Sequence, residues 1–71
     1  MITISPGRYR HYKGNYYEVI AVARHSETEE ELVVYRKLYD DGSLWVRPVA
    51  LFVENIQIDG VMVPRFELCG D

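Results

Sequence analysis

The chain has 71 residues, of which 48% are hydrophobic and 27% charged, and its formal net charge is −3 at pH 7. This composition excludes a disordered chain, and the length predicts one domain over residues 1–71. The lone Cys69 excludes an internal disulfide, and no apolar stretch is long enough for a signal peptide or a membrane span, so we expect a cytoplasmic protein without membrane contacts.

The first half of the chain predicts three strands separated by a turn and a polar loop. Pro6-Gly7 opens the aromatic-rich strand GRYRHY, and Lys13-Gly14-Asn15 predicts a tight turn because glycine and asparagine adopt positive φ readily. Aromatic and β-branched residues then predict a second strand over residues 15–26 and a third strand, ELVVYRKLY, over residues 31–39.

The second half predicts two hairpins and a short helical turn. Asp40-Asp41-Gly42 closes the first hairpin, and LWV, residues 44–46, returns as a fourth strand that Arg47-Pro48 ends. VALFVE predicts a brief helical turn, and Asp59-Gly60 marks a second hairpin between NIQI and VMVPRF. Five or six short antiparallel strands with one or two helical turns indicate a mostly β fold, either a small barrel or a sandwich.

The acidic segment SETEEE, residues 26–31, resembles a helix start. Ser26 with Glu29, and Thr28 with Glu31, have the spacing of a capping box, so the segment predicts a capped helical turn between two strands. As a metal site it is poor, because only His25 could join the carboxylates and no second ligand spacing is present. We therefore predict no metal site and no cofactor.

His25 and Ser26 raise the question of catalysis. Adjacent strand residues point to opposite faces, so neither side chain readily activates the other, and the chain has no G-x-S-x-G motif. We predict no catalytic nucleophile. An acid–base role for His25 beside Glu18 or Tyr35 stays open, although a histidine bonded to backbone at a strand end is the favoured interpretation.

Several segments in order resemble a known family. The most specific are YRHYKGN, ARHSET, ELVVYR, LWVRP and VPRF, and the resemblance runs from about Gly7 to Phe66. They are similar to small bacterial proteins grouped as domain of unknown function 1653. The resemblance implies a single SH3-like β-barrel and brings no established activity with it.

Aromatic and positively charged side chains beyond the needs of a small core form the candidate ligand-binding site. They are Arg24, His25, Tyr35, Trp45 and Arg47. Arginine recognises carboxylate or phosphate, and tyrosine and tryptophan offer flat faces for stacking. Tyr35 and Trp45 lie on one predicted hairpin, and Arg24 and His25 end the strand before it. The alternative is that Trp45 and one or more tyrosines belong to the core.

Three function classes follow. The favoured class is a non-enzymatic binding module for an acidic ligand, which could be a peptide, a nucleotide or a single-stranded nucleic acid. Binding to duplex DNA is not expected, because the chain carries a net charge of −3. The alternatives are a small acid–base enzyme using His25, and a structural or assembly protein whose apolar Val61, Met62 and Val63 contact a protein partner. We expect a monomer or a weak homodimer.

Overall fold

The strands predicted from the sequence form a curled antiparallel sheet and a separate hairpin. The computed structural model describes residues 4–69; the outermost residues of the predicted domain, 1–3 and 70–71, lie outside this range. The elements are β1 Gly7–His11, β2 Tyr16–Arg24, β3 Glu31–Lys37, β4 Leu44–Pro48, α1 Val49–Phe52, β5 Asn55–Ile58, β6 Val61–Pro64 and β7 Phe66–Leu68. The predicted fold class, a mostly β SH3-like barrel of short antiparallel strands, is confirmed, with seven strands within residues 4–69 instead of five or six.

The main sheet has the strand order β4-β3-β2-β1-β7, and among the described strands β5 pairs with β6 alone. The predicted strand VMVPRF divides into β6 and β7 at Arg65. The prediction that Arg47-Pro48 ends the fourth strand is wrong by two residues, because β4 includes Pro48. Proline is tolerated there because β4 is an edge strand, where a missing N–H removes no ladder bond.

Residues with positive φ close the predicted turns. Gly14 has φ 105°, and at the tip of the β5–β6 hairpin Asp59 and Gly60 have φ 51° and 80°. Positive φ at both central residues is the requirement of a type I′ turn, which matches the twist of the flanking strands. The dipeptide Asp-Gly therefore determines the reversal here, as the sequence predicts.

The acidic segment between β2 and β3 forms the predicted helical turn, but without its capping boxes. The Glu29 N–H donates to the carbonyl of His25 at 2.9 Å, and the His25 N–H donates to the Glu30 carbonyl at 2.8 Å. Glu29 has φ 64°, so the chain reverses after a single helical turn and the strand ladder resumes. The predicted capping boxes do not form; Thr28 Oγ1 instead accepts from the Glu30 N–H at 3.2 Å.

Aromatic residues dominate the core inside the curled sheet. The buried residues are Tyr9, Val19, Val33, Tyr35, Val49, Phe52 and Phe66. Phe52 of α1 stacks on Phe66 of β7 with ring centroids 4.2 Å apart and planes 4° from parallel. Tyr9 and Tyr35 are therefore core residues, whereas Trp45 keeps 50% of its surface exposed. Within residues 4–69, no helix is long and apolar enough to cross a membrane.

Candidate functional site: an aromatic cleft with two cations

Strand register brings five side chains into one cleft at the inner face of the sheet. Tyr17 of β2 lies opposite Lys37 of β3, and Tyr35 lies opposite Trp45 of β4. Arg47 follows Trp45 by two residues, so both side chains point to the same face of the strand. The five residues line a cleft of about 220 Å³.

The floor of the cleft is buried and aromatic, and its rim is open. Tyr35 is 5% exposed and contacts Phe66 and Phe52 with ring centroids 5.8 and 5.9 Å apart. Trp45 forms the rim, and its indole N–H donates to Ser43 Oγ at 2.8 Å. This hydrogen bond fixes the orientation of a half-exposed aromatic face, which makes the indole a ready surface for stacking.

Lys37 lies above the rim between two aromatic rings. Its Nζ is 5.1 Å from the Trp45 ring centroid and 5.5 Å from that of Tyr39. An ion pair with Asp40 is long, at 3.8 Å, and the Asp40 side chain is largely exposed. Exposed pairs of this kind contribute about 0–1 kcal/mol, so Lys37 retains most of its capacity to attract an anion.

Arg47 is the least satisfied cation of the cleft. Its Cζ lies 5.7 Å from the Phe66 ring centroid, and its Nε is buried without a hydrogen-bond partner among residues 4–69. In the same part of the chain the ion pairs are Lys37 with Asp40 and Arg65 with Glu54, so no carboxylate neutralises Arg47. An unpaired polar atom away from water is costly, and because no carboxylate offsets the charge of this guanidinium, an anion in the cleft would be attracted to it.

Two pKa shifts describe the electrostatics around the cleft. Burial raises the pKa of Tyr17 to about 12, together with the hydrogen bond of 2.7 Å that joins its hydroxyl to the Tyr39 hydroxyl. Desolvation, followed by the positive charges of Arg65, Arg47 and Lys13, lowers the pKa of His11. Tyr17 therefore stays a neutral hydroxyl at physiological pH, and the site of His11 disfavours additional positive charge.

The structure places the five predicted site residues in two groups. Tyr35, Trp45 and Arg47 line the cleft. Arg24 and His25 do not, because Arg24 is opposite Glu31, four residues along β3 from Tyr35. At about 3.3 Å per strand residue, Arg24 lies roughly 13 Å along the sheet from Tyr35 and Trp45, and roughly 7 Å along it from Arg47, which is opposite Val33 and two strands away.

His25 has a local role in the β2–β3 turn. Its Nδ1 accepts from the backbone N–H groups of Glu27 and Thr28 at 3.1 and 3.3 Å. Glu18 lies opposite Arg36, well along β2, and Tyr35 is in the core, so neither forms a catalytic pair with His25. No three His, Cys, Asp or Glu residues in the described part of the chain are grouped to hold a metal ion.

Two other clefts on the described surface have less suitable chemistry. One, of about 300 Å³, is lined by Glu30, Glu31, Val49 and Ala50 and carries only negative charge. The other, of about 330 Å³, includes both Arg10 and Glu67, whose charges oppose each other. Both clefts are lined by at least one carboxylate, which disfavours an acidic ligand.

The family assignment agrees with the fold. The family described as "Protein of unknown function (DUF1653)" matches residues 7–68. The chain belongs to this family. The crystal structure of a DUF1653 protein from Bordetella bronchiseptica is similar to it, with a TM-score of 0.87 and 36% sequence identity, over 94% of this chain and 88% of that chain. No curated protein matches the sequence. The predicted family resemblance is confirmed.

Tyr17 and Lys37 also line the cleft and were not predicted from the sequence. Lys37 follows Tyr35 by two residues in one strand, so the period of two was a usable signal. Tyr17 could not be found in this way, because its position opposite Lys37 depends on the pairing of β2 with β3. That pairing shifts at a bulge between Val19 and Ala21.

Proposed function

We propose that this protein is a non-enzymatic binding module that takes an acidic ligand in the cleft lined by Tyr17, Tyr35, Lys37, Trp45 and Arg47. The observation that carries the proposal is Arg47, a half-buried guanidinium with an unpartnered Nε and no carboxylate beside it among the described residues. A carboxylate or phosphate supplies the missing acceptors, because the planar guanidinium matches the geometry of either group.

The remaining lining residues support the same ligand chemistry. Lys37 adds a second cation, and the Tyr17 hydroxyl, neutral and hydrogen-bonded to the Tyr39 hydroxyl, adds a polar group. Trp45 offers a flat face on which an aromatic or aliphatic part of the ligand can pack. A cleft of about 220 Å³ is smaller than the roughly 300–1,000 Å³ of sites that enclose a whole small molecule. It therefore fits one group of a longer ligand.

The composition of the lining favours binding over acid–base catalysis. It contains two cations, three aromatic residues and neither a carboxylate nor a histidine. A general base needs a pKa near the working pH, and the pKa of about 12 removes Tyr17 from that role. His25, the base of the alternative enzyme hypothesis, accepts hydrogen bonds from its own turn.

The proposal is tested by a titration followed in two-dimensional NMR spectra. Inorganic phosphate, AMP, a short single-stranded oligonucleotide and an acidic peptide are added separately to the labelled protein. We expect at least one of them to shift the Trp45 indole, the Arg47 Nε–H and the Lys37 amide, while the amides of residues 24–30 stay in place. Shifts confined to residues 24–30, or no shift with any of the four, would contradict the proposal.

A further inference from the structure

The outer edge of β4 lies beside the cleft and is free among residues 4–69. β4 is the terminal strand of the main sheet, and no hydrogen bond of the described residues reaches the backbone of Leu44 or Val46 from outside the sheet. The Lys37 N–H donates to the Ser43 carbonyl at 3.0 Å, so these opposite residues form a hydrogen-bonded pair. Hydrogen-bonded and non-hydrogen-bonded pairs then alternate along β3 and β4. Trp45 and Arg47 therefore bond to β3, and Leu44 and Val46 direct their N–H and C=O groups outward.

Pro48 supports this assignment. Pro48 lies two residues after Val46, so its backbone nitrogen also faces away from β3. The absent N–H of proline therefore disturbs no bond to β3. Proteins usually protect a free edge with charged side chains. Here the edge residues Leu44, Trp45 and Val46 are apolar and 53%, 50% and 56% exposed.

We infer that the ligand is an extended acidic peptide segment that adds to the free edge of β4 as a further strand of the main sheet. The inference rests on the proposed function of the cleft and names its ligand class. Main-chain hydrogen bonds to Leu44 and Val46 supply the sequence-independent part of such binding, and side-chain pockets supply selectivity.

The two faces of β4 predict the pattern of the peptide. On the inner face it meets Trp45 and Arg47, two residues apart, so an apolar side chain and an acidic side chain are expected at the same spacing. On the outer face it meets Leu44 and Val46, and Val46 continues an apolar row through Val34 to Ala21. Apolar or β-branched residues are therefore expected at the intervening positions.

Charge favours a peptide over a second copy of the chain. The only charged residue of β4 is Arg47, so a second β4 strand offers no carboxylate to it. An acidic strand instead neutralises Arg47 and the nearby Lys37. Opposite charges across a strand pair are favourable, which favours the acidic peptide over a second copy.

The test uses the capped hexapeptide acetyl-Thr-Glu-Val-Leu-Val-Thr-amide and hydrogen exchange of the labelled protein. We expect exchange of the Leu44 and Val46 amides to slow at least about tenfold at saturating peptide, because they become hydrogen-bonded. The amides of Trp45 and Arg47, already bonded to β3, serve as internal controls. Replacing the glutamate of the peptide with glutamine should weaken binding about tenfold, the loss of one charge-assisted hydrogen bond.

N-methylation of the peptide is the matched control that leaves the protein unchanged. A methyl group on the first valine removes an N–H that faces β4 and should abolish binding. A methyl group on the leucine, whose N–H faces solvent, should leave the affinity within about twofold. Equal effects of the two methyl groups would overturn strand addition.

The remaining outcomes separate this inference from the proposed function. If phosphate or the peptide shifts the Trp45 indole while saturating peptide leaves exchange at Leu44 and Val46 unchanged, the cleft binds anions and the strand-addition inference is overturned. If no ligand shifts the indole, both fail. Protection of Leu44 and Val46 in ligand-free protein that rises with protein concentration would assign the edge to a second copy and also overturn the inference.

Discussion

The two ends of the β2–β3 strand pair carry similar residue types and use them differently. At the turn end, Arg24 is exposed and His25 accepts two backbone hydrogen bonds within its own loop. At the cleft end, Arg47 is half-buried over an aromatic floor and its Nε has no partner among residues 4–69. Residue type alone therefore does not identify a binding site, because a site also needs hydrogen-bonding groups that the fold leaves unused.

The largest expected effect comes from the floor of the cleft. Phe52→Ala should lower the free energy of unfolding by about 3–5 kcal/mol, because the ring is 2% exposed and stacks on Phe66, which lies under Arg47. Urea unfolding measures it. Leu51→Ala, in the same helix but exposed, is the control and should change stability by about 0.5 kcal/mol or less. Similar losses for both variants would show that α1 does not anchor the cleft through Phe52.

At the turn end, removing the His25 side chain should cost about 1 kcal/mol, the usual loss when a side chain no longer accepts from free backbone N–H groups. His25→Ala tests this by urea unfolding, and His25→Asn, whose amide oxygen can accept the same bonds, should recover much of the loss. Anion binding in the cleft should be unchanged in both variants. If the His25→Ala protein had normal stability but no longer bound anions, the anion site would lie at the turn end and our assignment would be wrong.

Tyr17→Phe should cost about 1 kcal/mol at neutral pH, since it removes the 2.7 Å hydrogen bond with Tyr39. The substitution should also make the free energy of unfolding less sensitive to alkaline pH. The folded pKa of about 12 lies above the unfolded value of 10.0, so the unfolded chain loses its proton first and stability falls as pH rises between these values. Unfolding at pH 8 and pH 11 should show a smaller decrease for Tyr17→Phe than for the wild type. An equal decrease would mean that Tyr17 titrates normally.

The smallest expected effect is on the titration of His11. Desolvation and the charges of Arg65, Arg47 and Lys13 lower its pKa below 6.5, so below that pH the unfolded chain binds more protons and the folded state loses stability. An anion bound at Arg47 offsets part of the positive charge and should raise the pKa of His11. The ring carbon shifts of His11 with and without saturating phosphate measure this change. An unchanged pKa would place the anion away from Arg47.

Much of the fold could be predicted from the sequence because the signals are local. Gly14 and the pair Asp59-Gly60 mark turns through their positive φ, and aromatic and β-branched segments mark the strands. The division of VMVPRF at Arg65 was missed, because it depends on a backbone contact to Glu54 at 3.0 Å, distant in sequence. The segment after His25 was predicted as a capped helical turn because its spacing fits a capping box, and the turn forms without that box.

The candidate site was less predictable because it depends on strand register. Tyr35 and Trp45 could be expected together from their shared hairpin. Tyr17 could not, since the bulge near Ile20 changes which residues of β2 and β3 are opposite, and alternation alone does not reveal a bulge. Because the register was not known from the sequence, Arg24 and His25 were predicted to lie with residues that are several positions away along the strand.

The most direct test of the anion site replaces Arg47 of the cleft or Arg24 of the turn end and measures ligand binding. Arg47→Met and Arg24→Met remove the charge and retain an apolar chain, so packing changes least. For AMP and for the acidic hexapeptide, we predict that Arg47→Met raises the dissociation constant at least about tenfold and Arg24→Met changes it less than about twofold, with melting temperatures within about 4 °C of the wild type. Equal losses in the two variants, or a larger loss for Arg24→Met, would contradict the assignment of the anion site to the cleft.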